Sequence, residues 1–194
     1  MTITYQLKFL GYWHCGSGLS GGAEADAGVI KDAQGLPFVP GKTIKGLLKD
    51  AAFEMVQGNT EKQNLIDILF GYTAMSATRG DGGNGKASRT HAGSASFSNA
   101  ELPLPERMEA AGELSHYLYD ILASTSIDEK TGTAENQTLR SIEVVVPLTL
   151  HGSIRMDACS DEEKALLKAC LKWVRAAGAH RNRGLGRCVF TNIN

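Results

Sequence analysis

The sequence has little cysteine and no C-x-x-C pair: Cys15, Cys159, Cys170 and Cys188 lie far apart along 194 residues. That spacing makes no zinc site by itself and reads as free thiols in a reducing compartment. His14 beside Cys15 could supply half of a metal site, but neighbours on an extended segment point to opposite faces. Long apolar runs are also missing, which excludes a membrane-crossing helix. The amino-terminal MTITYQLKFL alternates where a signal peptide would carry an apolar centre, so a cytoplasmic protein is expected. Extremes of composition are absent. With 42% apolar and 21% charged residues the chain fits neither a disordered nor a fibrous class. Its length suits one domain with insertions, and no internal repeat of fixed period is visible.

A phosphate-binding P-loop is missing as well, although Gly41-Lys42-Thr43 invites the comparison. That motif needs four residues between its first glycine and Gly-Lys so that backbone N–H groups can curl around phosphate. Here Gly35 and Gly41 enclose five, two of them Pro37 and Pro40, which offer no N–H and force an extended path. The last absence concerns one sign of charge. Residues 164–194 hold seven cations and no acid, whereas residues 101–163 hold four cations against thirteen acids, and residues 1–100 nine against eight. A net charge of -1 therefore hides a concentrated basic carboxyl end. Such a stripe is the footprint of a polyanion partner, or simply a solvated face.

What is present alternates between strand and helix periods. Ile3, Tyr5, Leu7 and Phe9 predict a half-buried strand, followed by a loop rich in Gly and Ala from Cys15 to Gly28. Ile44, Leu47, Leu48, Ala51, Ala52, Met55 and Val56 predict a helix stopped by Gly58, with Lys42, Lys45 and Lys49 on its other side. A second helix is expected over 60–70, closed by Gly71. Tyr72 to Gly93 reads as a mobile insertion, Ala95 and Phe97 as a short strand. Over 103–123 helix and strand periods both fit. Ser124 to Gln137 reads as a protruding hairpin or loop within a thumb-like segment 124–140. Ile142 to Leu150 alternates as one strand that Pro147 pushes toward an edge or a bulge. Ser160 and Glu163 form a capping-box pattern opening a helix that Gly178 is placed to end, and 188–193 is a final strand. Strand, helix, strand, strand, helix, strand is the order of an α+β, ferredoxin-like or RNA-recognition-motif fold, βαββαβ with insertions.

Between the last helix and strand lies GAHRNRGLGRC, whose glycines allow close backbone approach and whose arginines suit phosphate. Together with LPFVPGKTIKGLLKDAA this loop resembles the RAMP superfamily of CRISPR effector proteins, and in particular the backbone subunit of type III interference complexes. Four landmarks carry the resemblance in order: Pro40 to Gly46, Leu69 to Gly71, a thumb segment from Ile127 to Arg140, and Gly178 to Gly186.

The resemblance implies a guide-RNA-binding subunit. Lys42, Thr43 and Lys45 would meet phosphates at a helix amino terminus, and His180, Arg181, Arg183, Gly184 and Gly186 would complete the cradle. Sequence reading would be left to base pairing between guide and target. Ile127, Asp128, Thr133, Leu139 and Arg140 would form the thumb, which displaces a target base at intervals. The stretch EADAGVIKD matches the segment that holds an Asp in subunits that cleave target RNA, which places Asp26 in that role. A ribose 2′-OH would attack the adjacent phosphodiester, with Asp26 orienting it or binding a divalent cation, Mg²⁺ or Mn²⁺. Glu24 could assist, and Asp32 reads as a turn residue. The implied partners are guide RNA, complementary target RNA, other copies of this chain and other type III effector subunits. The spacing of 72–93 and 103–123 departs from the family pattern and leaves the paralogue open. A non-catalytic scaffold or capping subunit is the alternative. So is a guide-RNA-processing ribonuclease with His14 as general base.

Overall fold

The computed structural model describes residues 1–18, 25–56, 59–75 and 88–194. It is a mixed helix and strand fold built on a four-stranded antiparallel sheet. The sheet contains β1 (Thr2–Phe9), β4 (Ala95–Phe97), β7 (Thr149–Met156) and β8 (Cys188–Thr191), in the order β4-β7-β1-β8. Along β1 the alternation expected from sequence is realised: Ile3, Tyr5, Leu7 and Phe9 are buried while Thr2, Thr4 and Lys8 face solvent. Register pairs Ile3 with Ile154, Leu7 with Leu150 and Leu7 with Phe190 on the other side, so one face of three strands is continuously apolar.

Two helices bury that face. In α1 (Gly41–Val56) Ile44, Leu47, Leu48, Ala51, Ala52 and Val56 recur every three or four residues and lie inside. In α4 (Asp161–Trp173) Leu167, Cys170 and Leu171 do the same. Each fully buried Leu or Ile contributes about 1.5–3 kcal/mol. Ser160 caps α4 with both bonds of a capping box, Glu163 N–H to Ser160 Oγ and Ser160 N–H to Glu163 Oε2. The second helix, α2 (Thr60–Phe70), ends at Gly71 as its sequence indicates; Gly58, the expected stop of α1, lies outside the described residues. Tyr5 presents the one buried side-chain polar atom without a partner among the described residues. Its hydroxyl lies over Gly152, which has no side chain to collide with it.

Several expectations are revised. The alternating run 142–150 is two strands in two sheets: β6 (Arg140–Val145) pairs antiparallel with β5 (Tyr119–Ser124), and β7 enters the central sheet. Pro147 stands at the break, where it has no N–H to give a ladder, and β7 beyond it is an interior strand. Residues 103–123 satisfy both readings in succession, as α3 (Leu104–Ala110), a 3₁₀ turn (Gly112–Leu118) and β5. Within 72–93, β2 (Tyr72–Met75) and β3 (Ser88–His91) pair antiparallel, while 76–87 lie outside the described residues. Gly178 does not end α4, which stops at Trp173 with Val174 as its cap.

Candidate nucleic-acid interface

Both glycine-bearing turns dock on the short segment that leaves β1. Trp13 is fully buried, stacks on Phe9 with ring centroids 4.3 Å apart, and donates Nε1–H to the Val146 carbonyl at 3.1 Å. Its backbone pairs both ways with Val145. The carbonyls on either side of Trp13 face the glycine-rich loop: Gly186 N–H donates to Tyr12 O and Ala179 N–H to His14 O, each at 2.8 Å. Such close docking explains two glycines. A Cβ at Gly178 would stand 2.3 Å from His14 O and one at Gly186 2.0 Å from Ala177 O, and both residues have positive φ.

The next residue, Cys15, meets the mouth of α1. Burial pushes the Cys15 thiol up, and a hydrogen bond with the Thr43 hydroxyl and the nearby Lys42 charge pull it partly back. Gly41 is a packing glycine, since a Cβ there would lie 2.1 Å from Phe97 O. Its N–H is bound by Asn99 Oδ1 at 3.0 Å, and Thr43 and Ile44 N–H both reach Pro40 O. Of the first four helical N–H groups, only that of Lys42 has no protein partner among the described residues. The helix mouth therefore offers an anion the Lys42 amide and the exposed Lys42 side chain, with Lys45 half-buried one turn on. Lys49 is occupied structurally, its Nζ 2.8 Å from Gly71 O.

Beyond Ala179 the loop turns sharply. His180 adopts left-handed backbone geometry, φ 55°, and its carbonyl accepts Arg183 N–H at 2.8 Å, forming a single 3₁₀ turn closed by Gly184. His180, Arg181 and Arg183 are all exposed. With Gly178, Ala179, Asn182 and Arg140 they line an open cleft of about 580 Å³ that contains no acidic side chain. Arg181 and Asn182 also border a second groove, about 310 Å³, where α1 contributes Asp50 and Glu54. The cationic surface is thus bounded on that side by carboxylates.

Asp26 is tied to Ser141, the neighbour in sequence of the cleft residue Arg140. Its N–H donates to Ser141 O at 2.9 Å and its Oδ2 accepts Ser141 N–H at 2.7 Å, so it lies against the residue next to Arg140. Asp26 is exposed, and its Oδ1 has no protein partner among the described residues. Among those residues no group of three His, Cys, Asp or Glu side chains is placed to hold a metal. For Mg²⁺ or Mn²⁺ the Asp26 carboxylate would offer a single hard oxygen ligand. Glu24 lies outside the described residues. Asp32 is a turn residue, as read: its Oδ1 accepts Gln34 and Leu36 N–H, and its Oδ2 pairs with Arg107 at 2.7 Å. His14 is buried, 4% exposed, with Nδ1 2.6 Å from Glu143 O, a position suited to packing and not to proton transfer with a ligand.

The hairpin formed by β5 and β6 carries the thumb residues on residues 125–139 and at the start of β6. Asp128 organises the tip: its Oδ1 accepts from Lys130 N–H, Thr131 N–H and the Thr131 hydroxyl, and these bonds hold its carboxyl below the usual range. Thr133 N–H reaches the Thr131 hydroxyl at 3.4 Å, and Thr133 O accepts Asp128 N–H. Ile127 and Leu139 are apolar side chains left 57% and 72% exposed. Sequence reasoning missed Ser141, Glu143, Arg107 and Asn99. Each acts through a partner distant in sequence, so no local pattern marks it.

Among the described residues, the face of the central sheet away from α1 and α4 carries Gln6, Lys8, His151 and Arg155, with the His151 imidazole in place of the Phe and Tyr rings of an RNA-recognition motif's stacking platform. The sequence profile of the RAMP superfamily matches residues 6–189, from β1 to β8. The chain belongs to the RAMP superfamily. No curated protein matches its sequence. Among solved structures, a chain of a type III-B Cmr-beta studied by cryo-EM in the apo state superposes with a TM-score of 0.69 at 12% identity, over 98% of this chain and 96% of that one. A chain of the type III-B Cmr-beta bound to cognate target RNA gives 0.61 at 13%, with the same coverage. These likenesses establish a shared fold. Among the described residues of this RAMP protein, no helix is long and apolar enough to cross a membrane.

Proposed function

We propose that this RAMP protein is a guide-RNA-binding backbone subunit of a type III CRISPR effector complex and that it cleaves target RNA through Asp26. The observation that carries the reading is the shared cleft. Arg140, His180, Arg181 and Arg183 converge on it without an intervening acid, and Asp26 is fastened to the residue beside Arg140. Guanidinium groups in this arrangement hold a ribose-phosphate chain without reading its bases. The RAMP likeness, including one to a chain solved with cognate target RNA, supports guide and target RNA, other copies and other effector subunits as the partners.

The fold reading is equally specific. α1 lies between β1 and β4 in sequence and α4 between β7 and β8, in a sheet ordered β8-β1-β7-β4 with every neighbour antiparallel. We read this order as a ferredoxin-like βαββαβ core forming one RAMP domain. The hairpin of β2 and β3 and the thumb, 124–140 with its flanking strands, are its insertions.

In the reaction the O2′–P bond forms as the P–O5′ bond breaks, the 2′ proton is lost and the leaving 5′ oxygen gains one. Oδ1 of Asp26 is free to accept or orient the 2′-OH, and the cleft cations hold the flanking phosphates in line. A Mg²⁺ or Mn²⁺ bound at Asp26 would supply charge stabilisation at the phosphoryl oxygens. The buried, hydrogen-bonded His14 speaks against guide processing through that residue. A scaffold lacking catalysis is the remaining alternative, and one substitution separates the two. In the assembled complex Asp26→Ala is expected to abolish target cleavage while target and guide RNA stay bound; undiminished cleavage would establish the scaffold.

A further inference from the structure

We infer that Glu143 is the positioning residue for Asp26, strapping the loop that carries Asp26 to the thumb hairpin; the inference rests on the catalytic reading above and deepens it. Residues 25–31 run as a ribbon between two neighbours. On one side Ile30 N–H donates to Cys15 O and Ser17 N–H to Gly28 O. On the other the ribbon lies along the start of β6, and there Glu143 uses every polar group it has. Its N–H donates to Ala27 O at 3.0 Å, and its carbonyl lies 2.6 Å from His14 Nδ1. Its Oε2 accepts Val29 N–H at 2.9 Å, and its Oε1 pairs with Lys31 Nζ at 2.7 Å. Lys31 in turn rests 3.9 Å over the Tyr119 ring of β5, whose hydroxyl donates to Gly35 O at 2.6 Å. Ser141, two residues before Glu143 on the same strand, holds the Asp26 carboxylate itself.

An exposed ion pair contributes little, so Lys31 alone would not make Glu143 matter. The Val29 bond differs, because Val29 is 4% exposed and its N–H would be left without a partner if the carboxylate were removed. The loop would then be free to shift relative to β6. A displacement of about 1 Å at a reacting group can cost a hundredfold in rate. The same connections make Asp26 and Arg140 move as one body with the thumb, so that the carboxylate follows the element that engages the target.

The test measures single-turnover target cleavage, target affinity and amide hydrogen exchange on assembled complexes. Glu143→Ala is expected to slow cleavage about 10–100-fold with affinity unchanged, and Glu143→Gln, which keeps an oxygen for Val29 N–H, restores most of the rate. Amides 26–31 should exchange faster in Glu143→Ala while β1 and β7 keep their protection. Wild-type cleavage and protection in Glu143→Ala, alongside an inactive Asp26→Ala, overturn the inference and leave the catalytic reading intact. Full cleavage by Asp26→Ala overturns that reading instead, and the exchange data still decide whether Glu143 orders the loop. Should Glu143→Ala fail to assemble, Glu143→Met takes its place, filling nearly the same space with no oxygen for Val29 N–H: faster exchange at 26–31 supports the strap, and unchanged exchange contradicts it.

Discussion

Three glycines of one loop have very different duties at the scale of single residues. Gly178 and Gly186 combine positive φ with carbonyl oxygens only 2.3 and 2.0 Å from where a β-carbon would stand, whereas Gly184, φ 90°, has open space in that direction. Alanine at 178 or 186 is therefore expected to cost about 3 kcal/mol or more, and at 184 only ~1–2 kcal/mol from backbone strain. Urea denaturation of the three variants checks this order, and equal losses would contradict the docking of the loop on Tyr12–His14. Gly41 teaches the same lesson. Its place in Gly-Lys-Thr suggested phosphate, but its proximity to Phe97 O makes it a contact between helix and strand. The residue types in these motifs were visible in the sequence; which atom each glycine makes room for was not, because His14, Ala177 and Phe97 approach through folding.

At the scale of elements, periodicity located β1, α1, α2, α4 and β8 because each buries one face against the same core. It misread 142–150, where two strands facing different sheets happen to keep a common alternation across Pro147. The capping box of α4 was legible since all its atoms lie within four residues. The seat of Asp26 was not, since Ser141 and Glu143 are over a hundred residues away. The thumb tip depends on one carboxylate. Asp128 bonds lower its pKa, so the ordering they provide is present above the ordinary value near 3.8 and is lost as pH falls through the folded one. Asp128→Ala should raise exchange of amides 128–133 at neutral pH without changing that of β5 and β6. Unchanged exchange at the tip would show that the turn holds without it.

At the scale of the whole molecule, core cysteines set an alkaline limit on stability. Burial pushes the Cys170 and Cys188 thiols up to about 12 from 9.0. The unfolded chain then releases protons first as pH rises, so this stability is complete below pH 9 and is lost toward pH 12, about 1 kcal/mol per thiol at pH 10. Denaturation midpoints measured from pH 7 to 10 should fall above 9, and Cys188→Ala should flatten the decline; parallel curves would contradict the assignment. Charge has its own large-scale order, with acids concentrated in 101–163 and none after 163. The glycine-rich loop lies on the basic segment, and the thumb base brings Arg140 to it. That convergence is the centre of the account. Its most direct test is the salt dependence of guide-RNA affinity for wild type and for the Arg140→Ala, Arg181→Ala, Arg183→Ala variant. The slope of log affinity against log salt should flatten by about 0.7 for each phosphate that the variant no longer neutralises. An unchanged slope would place the RNA on another surface.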